Sequence, residues 1–479
     1  MDTTNNTVRA DVLVVGWGKA GKVAAAELGR LGRRVVLVEE SERMYGGTCP
    51  NVGCVPSKGL VHRSGKRRPN DAPQGFYERA VREVQDIREF MRVASYDALS
   101  SVESVTLVIG RAAFVDPHTV AVETDAGVTT ISADTIFIDT GAEPFIPDIP
   151  GLRESSHLMT SAGLMESTIM PERLAIVGGG YLGLEFASIY RRFGSQVTLF
   201  DHSSSILRQE DEEVAAEVAR ILAGEGIDVV LGARVSEVRD GDAGATVIYE
   251  NETEQHALEV DVVLAASGRA PAIRHLRLEA AAVRTDGHGA IEVDEHLRTS
   301  QPHIYAVGNV NGAPQHTYIS LDDGRIVLDR LIGEGRRSTA DRVAVPRTLF
   351  ITPPLASVGL TERQAREAGY RVKIASQHVA DIASMPRAYA VEETRGVMKF
   401  VIDLETDEIL GAALLSVDAQ ELINTVALAM RHGVKAAELR DAIYTHPSST
   451  EAFNDVLAAI VRTDEARRTE AGVSVSQDG

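Results

Sequence analysis

Two glycine-rich turns, each set between two apolar strands, constrain this chain more than any other feature of its sequence. Continuous apolar strands are typical of a parallel sheet that is buried on both faces. In each repeat the strand after the helix ends at an acid, Glu39 or Asp201, which stands 23 residues beyond the first glycine. The turns are residues 16–21 and 178–183, and the strands before them are residues 11–15 and 174–177. The repeat predicts two Rossmann-like dinucleotide-binding modules in an α/β protein.

Each turn has the G-x-G-x-x-G spacing that a dinucleotide requires. The first glycine permits the tight turn, the second lets the backbone approach the pyrophosphate, and the third lets the helix pack on the strand. The acid at the end of the next strand accepts from a ribose hydroxyl. We assign one dinucleotide to Gly16, Gly18, Gly21 and Glu39, and the other to Gly178, Gly180, Gly183 and Asp201. Because a carboxylate repels a 2′-phosphate, Asp201 favours NADH, with NADPH kept as the alternative.

The chain has only two cysteines, Cys49 and Cys54. A secreted disulfide scaffold uses more, and no His/Cys cluster completes the four ligands of a structural zinc site, so no metal is expected. In a helix, Cα atoms five residues apart are about 8–9 Å apart, whereas a disulfide needs about 4.4–6.8 Å. A bridge therefore requires irregular backbone, which Pro50 and Gly53 can supply. Lys58, four residues after Cys54, favours a thiolate if this segment is helical.

Bulk composition excludes several classes of protein. Hydrophobic residues make up 44% and charged residues 25% of the chain, as in soluble globular proteins. No run reaches the 18 or so apolar residues of a membrane span, and the first residues lack the pattern of a secretory signal. We therefore expect a cytoplasmic protein that does not enter membranes. The net charge of −20 argues against nucleic-acid binding.

The rest of the chain divides into regions that differ in their hydrophobic pattern. Residues 103–140 and 228–265 alternate like short strands, and a separate α+β domain begins near residue 345, with helices predicted over 418–432 and 450–461. The loop at 64–76 looks mobile, and the charged tail, 464–479, is expected to be disordered.

The string Gly46-Gly47-Thr48-Cys49, followed by Cys54-Val55-Pro56-Ser57-Lys58 and set between two dinucleotide fingerprints, resembles the class I flavoprotein disulfide reductases. The resemblance extends from about residue 9 to residue 461. It implies two Rossmann-like domains and a C-terminal α+β dimerisation domain. The implied segments are an FAD-binding domain at 1–150, an NAD(P)H-binding domain at 151–269, a return to the FAD domain at 270–344, a dimerisation domain at 345–463 and a tail at 464–479.

The resemblance also implies roles for single residues. Cys54 is the thiolate that faces the flavin, and Cys49 is the thiol that meets substrate. Lys58 lies near the flavin and pairs with Glu185, and Tyr181 gates the nicotinamide pocket. Further family positions expected at the cofactors are Gly47, Thr48, Thr140, Gly141, Gly268, Gly308, Asn309 and Thr317. For Thr140-Gly141 and the Ser267–Arg269 segment around Gly268, plain structural turns remain an equal alternative.

Two late segments extend the resemblance. His446-Pro447, followed by Glu451, is similar to the family element that enters the partner subunit's site. His446 is then expected to exchange a proton with Cys49, and Glu451 to orient its imidazole, in a homodimer with composite sites. Asn309 departs from the family's Gly-Asp pattern: it keeps an acceptor oxygen but loses the charge-assisted bond to the flavin side chain. FAD affinity is therefore expected to be reduced rather than abolished.

Within the family, the acceptor is open. Mercuric reductases carry further C-terminal cysteines that this chain lacks, and Asp201 disfavours a glutathione reductase. The strings at 16–22, 44–49, 317–339 and 350–355 are similar to a subgroup of flavoproteins associated with resistance to reactive chlorine. That likeness implies a small oxidant as substrate, hypothiocyanous acid or Cu(II). The alternatives are a dihydrolipoamide dehydrogenase and an NAD(H)-binding redox sensor.

Overall fold

The computed structural model describes residues 7–251 and 254–463, with side chains described up to residue 460. Its helices and strands are given in chain order. The first part contains β1 (Thr7–Val15), α1 (Lys19–Arg30), β2 (Val35–Glu39), α2 (Thr48–Val52), α3 (Cys54–Ser64), α4 (Pro73–Ser100), β3 (Val105–Ile109), β4 (Arg111–Asp116), β5 (Thr119–Thr124), β6 (Gly127–Ile138) and β7 (Ala142–Pro144).

The middle part contains β8 (Leu158–Met159), α5 (Ser161–Glu166), β9 (Arg173–Val177), α6 (Tyr181–Phe193), β10 (Gln196–Asp201), α7 (Glu212–Gly224), β11 (Asp228–Leu231), β12 (Arg234–Asp240), β13 (Ala245–Glu250), β14 (Gln255–Val260) and β15 (Val262–Ala265). The last part contains β16 (Arg269–Pro271), β17 (Ile304–Ala306), α8 (Thr317–Ile332), β18 (Arg347–Leu349), β19 (Leu355–Gly359), α9 (Glu362–Glu367), β20 (Val372–His378), α10 (Pro386–Ala390), β21 (Val397–Asp403), β22 (Ile409–Leu415), α11 (Ala419–Arg431), α12 (Ala436–Arg440), α13 (Ala452–Ala458) and β23 (Ile460–Thr463).

The described residues form two units. The first runs to Pro147 and adds Met159–Met170 and Ser267–Arg342; the second comprises Asp148–Leu158, Pro171–Ala266 and the residues from Val343 onward. The division into five segments that the sequence suggested stays a prediction, and its tail, 464–479, lies outside the described residues.

The first unit is built on a sheet with strand order β3-β2-β1-β6-β5-β4, to which β17 adds beside β6. Strands β3, β2, β1, β6 and β17 pair in parallel, whereas β4 and β5 continue from β6 as an antiparallel meander. Along β1, Val12 and Val14 face one core, and Leu13 and Val15 face another. This strand is buried on both faces, as its continuous apolar run predicts, and Ala24 of α1 packs on the first of these cores.

The second unit contains a parallel sheet that includes β11-β10-β9-β15, an antiparallel sheet β12-β13-β14 and a larger sheet β18-β19-β22-β21-β20-β23. In the larger sheet the described pairings are antiparallel. Its core includes Phe400 from the sheet and Phe453 from α13, whose rings meet edge to face at 5.6 Å between centroids. Both glycine-rich turns thus stand at the carboxyl ends of parallel strands, where open α/β sheets bind ligands.

Two local predictions from the sequence are wrong. The helix predicted over 450–461 ends at Ala458, and Ile460–Thr463 pairs with β20 instead, as the β-branched Ile460 and Val461 favour. The loop predicted over 64–76 is confined to residues 65–72, because α4 begins at Pro73, a residue that suits the first helical position. Among the described residues, no helix combines the length and the apolar character that crossing a membrane requires.

Candidate active site

The first glycine-rich turn lies directly on Asp139, the residue that follows β6. The Gly21 N–H donates to Asp139 Oδ2 at 2.6 Å. A Cβ added at Gly16 would collide with the Asp139 carbonyl, and one at Gly18 with its carboxyl. Burial raises the pKa of Asp139 well above its ordinary value. Asp139 was not predicted from the sequence; its one signal there is an acid directly after the strongly apolar end of β6.

Glu39 is held against the same turn. Its carboxylate accepts from the Trp17 N–H at 3.0 Å and from the Ser41 N–H at 3.2 Å. Burial outweighs these two bonds and raises the pKa of Glu39 to about 7. An acid placed here, at the end of β2, can accept from the ribose hydroxyls of a dinucleotide.

A cavity in the first unit tests whether FAD fits. Residues that the sequence assigned to FAD and that line this cavity are Gly16, Gly18, Glu39, Gly47, Thr48, Thr140 and Gly141. The buried Thr140 hydroxyl has no hydrogen-bond partner among the described residues. A cradle of glycines, an acid at the strand end and an unpaired hydroxyl are the groups that bind a dinucleotide. The cavity therefore fits the adenosine and pyrophosphate half of FAD.

Five other predicted cofactor residues of the first unit lie outside this lining: Gly21, Gly268, Gly308, Asn309 and Thr317. Gly308 and Asn309 follow β17, and the Gly308 N–H donates to the buried carboxylate of Asp323 at 2.6 Å. Thr317 is the first residue of α8, where its hydroxyl lies 3.5 Å from the Cys54 sulfur.

The two cysteines stand on either side of a break between two helices. α2 carries Cys49 and α3 begins at Cys54, and Gly53 between them has φ −134° and ψ −120°. The irregular backbone expected from the spacing is thus present at Gly53. Cys49 is half-buried and Cys54 is exposed. A hydrogen bond to the Cys54 sulfur raises the pKa of Cys49, and burial acts in the same direction. The two sulfurs therefore lie within hydrogen-bonding reach of each other.

Asn51, inside the cysteine loop, fixes its shape. Its Nδ2 donates to the carbonyls of Tyr45 and Gly47, each at 2.8 Å, and its Oδ1 accepts from Arg92 Nε at 3.0 Å. The side chain is 1% exposed. Nothing in the sequence pattern marks Asn51, because its partner Arg92 comes from α4, a helix that was not predicted.

Lys22, on α1, is a further cation near this loop. Its Nζ donates to the Gly46 carbonyl at 3.4 Å. Burial lowers the pKa of Lys22, while the charges of Cys49 and Asp139 oppose that shift. Lys58 lies one turn beyond Cys54 in α3.

The second glycine-rich turn repeats the pattern in the second unit. Asp201, at the end of β10, accepts from the Gly179 N–H at 3.1 Å and from the Ser203 N–H at 2.8 Å. A Cβ at Gly183 would collide with the Gly178 carbonyl, so the third glycine allows α6 to begin close to the strand. Gly180 directly precedes α6 in extended conformation. The acid is therefore fixed beside the turn, as a ribose site requires.

Tyr181, the first residue of α6, is tied to a buried ion pair. Its hydroxyl donates to Glu210 Oε1 at 2.9 Å, and the same oxygen accepts from Arg347 Nε and from Ser357 Oγ, each at 3.1 Å. One turn along α6, Glu185 Oε1 accepts from the Phe350 N–H at 2.9 Å. The predicted pairing of Lys58 with Glu185 joins the two units and stays a prediction.

Gly141 and Gly268 need glycine for their backbone conformation. Their φ values are 72° and 111°, a region that L side chains rarely adopt, and neither is crowded where a Cβ would stand. They flank β7 and β16, which pair antiparallel, and the Phe145 N–H donates to the Gly268 carbonyl at 3.0 Å. This geometry favours a structural turn for Gly268, whereas Gly141 also lines the cavity.

His446 and Glu451 meet in the second unit. His446 Nδ1 lies 2.8 Å from Glu451 Oε1, and Glu451 Oε2 accepts from the Ser448 N–H at 2.9 Å. The Ser448 N–H and then His446 lower the pKa of Glu451. The carboxylate thus stays ionised and fixes the imidazole, while 72% of the His446 side chain is exposed. This is the base–orienter geometry of general acid–base catalysis.

Comparison with known proteins agrees with this arrangement. Residues 10–324 match the family model described as pyridine nucleotide-disulphide oxidoreductase, and residues 345–457 match the dimerisation domain of the same family. The chain belongs to the pyridine nucleotide-disulphide oxidoreductase family. It is therefore an oxidoreductase of the flavoprotein disulfide reductase type, and members of this family combine FAD with a nicotinamide nucleotide. The predicted fold class, two Rossmann-like domains with a C-terminal dimerisation domain, is confirmed.

Two relatives and one solved structure illustrate the range of the family. The chain is 41% identical to the probable pyridine nucleotide-disulfide oxidoreductase RclA of Escherichia coli K12, over 94% of this chain and 98% of that protein. It is 33% identical to a mercuric reductase of Staphylococcus aureus, over 94% of this chain and 82% of that protein. The solved Cu(II) complex of the HOCl-induced flavoprotein disulfide reductase RclA from Escherichia coli superposes with a TM-score of 0.89, at 41% identity, covering 95% of this chain and 100% of that one.

Proposed function

We propose that this chain is a flavoenzyme that passes electrons from NADH to a small oxidant through Cys49 and Cys54, in defence against reactive chlorine. The observation that carries the proposal is the pair of hydrogen-bonded thiols at a helix break, beside the start of α8. The likeness to an HOCl-induced relative supports the stress role. The cytoplasmic location expected from the sequence stays a prediction.

The acid at the end of each module's second strand, Glu39 or Asp201, indicates which dinucleotide that module binds. Glu39 and the lined cavity hold FAD, which when bound supplies two-electron chemistry between the nicotinamide and the thiols. Asp201 takes the ribose of the nicotinamide nucleotide, and its fixed carboxylate favours NADH over NADPH.

The sulfur chemistry begins with the proton of Cys49. When a base outside the cysteine pair takes this proton, the Cys49 thiolate attacks the sulfur of hypothiocyanous acid, the S–O bond breaks and hydroxide leaves. The Cys54 thiolate then attacks Cys49, and thiocyanate leaves as the disulfide forms. With Cu(II) as acceptor, the same dithiol delivers two electrons to two ions. Exposure alone favours Cys54 as the sulfur that meets substrate, so the assignment of Cys49 to that role rests on the family resemblance.

The base that takes the Cys49 proton is His446 of a second copy of the chain. An imidazole that is oriented by Glu451 but 72% exposed is suited to act on a neighbouring chain. Ile443, three residues earlier, is completely exposed, so this segment presents an apolar side chain that a partner could cover. The family's dimerisation domain covers this segment. A homodimer with composite sites follows.

Complementation tests the composite site. Homodimers of Cys49→Ser and of His446→Gln are each expected to be inactive with the acceptor. Co-expressed with two affinity tags, the mixed dimer keeps one site with both residues intact, and we expect about half of the wild-type activity. A mixed dimer without activity would place Cys49 and His446 in the same chain's site and refute the composite arrangement.

The acceptor is tested by the anaerobic rate of NADH oxidation with hypothiocyanous acid, Cu(II), lipoamide or oxidised glutathione. We expect fast turnover of hypothiocyanous acid or Cu(II) that is lost in Cys49→Ser, while bleaching of the flavin by NADH survives. Cys54→Ser is the matched variant: it should lose turnover as well, but its Cys49 should still be modified by the oxidant. A preference for lipoamide would contradict the proposal and identify a dihydrolipoamide dehydrogenase.

A further inference from the structure

Glu210 lies at the centre of a buried polar cluster in the second unit. Its side chain is 1% exposed, and Tyr181, Arg347 and Ser357 each hydrogen-bond to its Oε1. Arg347 supplies a single opposite charge at 3.1 Å. A buried carboxylate oxygen with three donors is a rigid anchor, since any motion of a partner leaves charge unsatisfied.

Tyr181 is the member of this cluster that lies next to the glycine-rich turn. It follows the glycine turn immediately and starts α6, so its ring stands where a nicotinamide nucleotide meets the turn. Burial raises the pKa of Tyr181, and the Glu210 charge adds to the effect. The phenol therefore stays protonated and donates to Glu210. Rotation of the side chain about its Cα–Cβ bond, which swings the ring away, displaces the hydroxyl and breaks that bond.

We propose that Glu210, held by Arg347, is a positioning residue that restrains the Tyr181 ring and thereby sets how readily the nicotinamide enters. The inference rests on the proposed function, because it needs a nicotinamide nucleotide at this turn, and it takes from the family resemblance that Tyr181 gates the nicotinamide pocket. The restraint is anchored in the segment around β18: Arg347 fixes Glu210, and the Phe350 N–H fixes Glu185 one turn along α6. The start of α6 is thus connected to the segment around β18 at two points, at Tyr181 through Glu210 and at Glu185 directly. That segment is the fixed part of the structure relative to which the Tyr181 ring moves.

Stopped-flow bleaching of the flavin, followed against NADH concentration and repeated with NADPH, gives a dissociation constant and a limiting rate for each variant. Tyr181→Phe deletes only the hydroxyl and keeps the ion pair. We expect it to tighten NADH binding by about tenfold, the factor that a net hydrogen bond to a charged group is worth. Glu210→Gln should tighten binding in the same direction, and the double variant should bind no tighter than Tyr181→Phe alone. Oxidation of the dithiol by the acceptor should not change in any of them.

Arg192→Gln is the matched control. It removes another partly buried ion pair, with Glu225 at 2.9 Å, at the opposite end of the same helix. We expect it to lower the thermal midpoint without changing the dissociation constant for NADH. The inference is overturned if Glu210→Gln changes that constant equally with and without the Tyr181 hydroxyl, or if neither substitution changes it. A wild-type enzyme whose flavin neither NADH nor NADPH reduces would refute the proposed function, and this inference with it.

Discussion

Replacing Glu39 by Gln should remove a large part of the pH dependence of stability in the flavin-free first unit. Burial raises the Glu39 pKa from its ordinary 4.5 to about 7, so the folded protein prefers the protonated carboxyl. This preference stabilises the fold fully below pH 4.5 and is lost as the pH rises through 7. At about 1.4 kcal/mol per pKa unit, the loss amounts to about 3 kcal/mol. The amide of the Glu39→Gln variant cannot ionise, so the variant should not lose this stabilisation.

The assay uses the only tryptophan of the chain. Trp17 is 1% exposed and donates its backbone N–H to Glu39, so its fluorescence reports unfolding of this unit alone. Urea unfolding at pH 5, 6, 7 and 8 should show wild type losing about 3 kcal/mol relative to Glu39→Gln. An amide accepts more weakly than a carboxylate, but that cost is the same at every pH. Glu40→Gln, at an exposed neighbour, should run parallel to wild type. Parallel profiles for wild type and Glu39→Gln would refute the reasoning.

Three further substitutions test other parts of the structure. Lys399→Met should destabilise the second unit by about 3–5 kcal/mol. The substitution removes a buried ammonium and leaves the three carboxylates within 3.3 Å of it without their cation, so the loss should be smaller at pH 5 than at pH 8; thermal unfolding at both pH values checks this. Glu451→Gln should slow acceptor turnover about tenfold by weakening the bond to His446, while stopped-flow reduction of the flavin by NADH stays unchanged. Asn51→Ala should lower unfolding free energy by about 1–3 kcal/mol and speed alkylation of Cys49 by iodoacetamide, since two buried carbonyls lose their donor.

The two nucleotide modules could be predicted because their signals are local. A continuous apolar strand, a glycine spacing and an acid 23 residues later all lie within one βαβ unit, and the structure places Glu39 and Asp201 beside their own turns. The break at Gly53 was equally local, since it follows from a distance that a regular helix cannot span. The roles of Cys49 and Cys54 needed a family resemblance, because spacing alone does not say which sulfur faces which cofactor.

What the sequence could not reveal depends on contacts between distant segments. Asp139 lies 118 residues from the Gly21 N–H that it accepts, and Glu210 lies 137 residues from Arg347. Neither residue belongs to a repeat or a spacing rule, so nothing near it in the chain marks its partner. The α4 helix was not predicted because its moderately polar surface carries only a narrow buried stripe, which includes Tyr77 and Val84. The structural role of Asn51 was not predicted either, since its partner Arg92 lies on that helix.

Asn309, the one departure from the family pattern, has a physical context that the sequence alone did not supply. Gly308, its neighbour, stands between two buried carboxyls: its N–H donates to Asp323, and its Cα side faces Asp139 Oδ1. Burial raises the pKa of both acids, and the charge of Asp323 raises that of Asp139 further. Arg342 is ion-paired with Asp323, while the charge that opposes the Asp139 shift comes from Lys22. Position 309 follows Gly308 directly, so an uncharged acceptor there adds no third negative charge beside these two acids in the chain and still keeps an oxygen for a ligand hydroxyl.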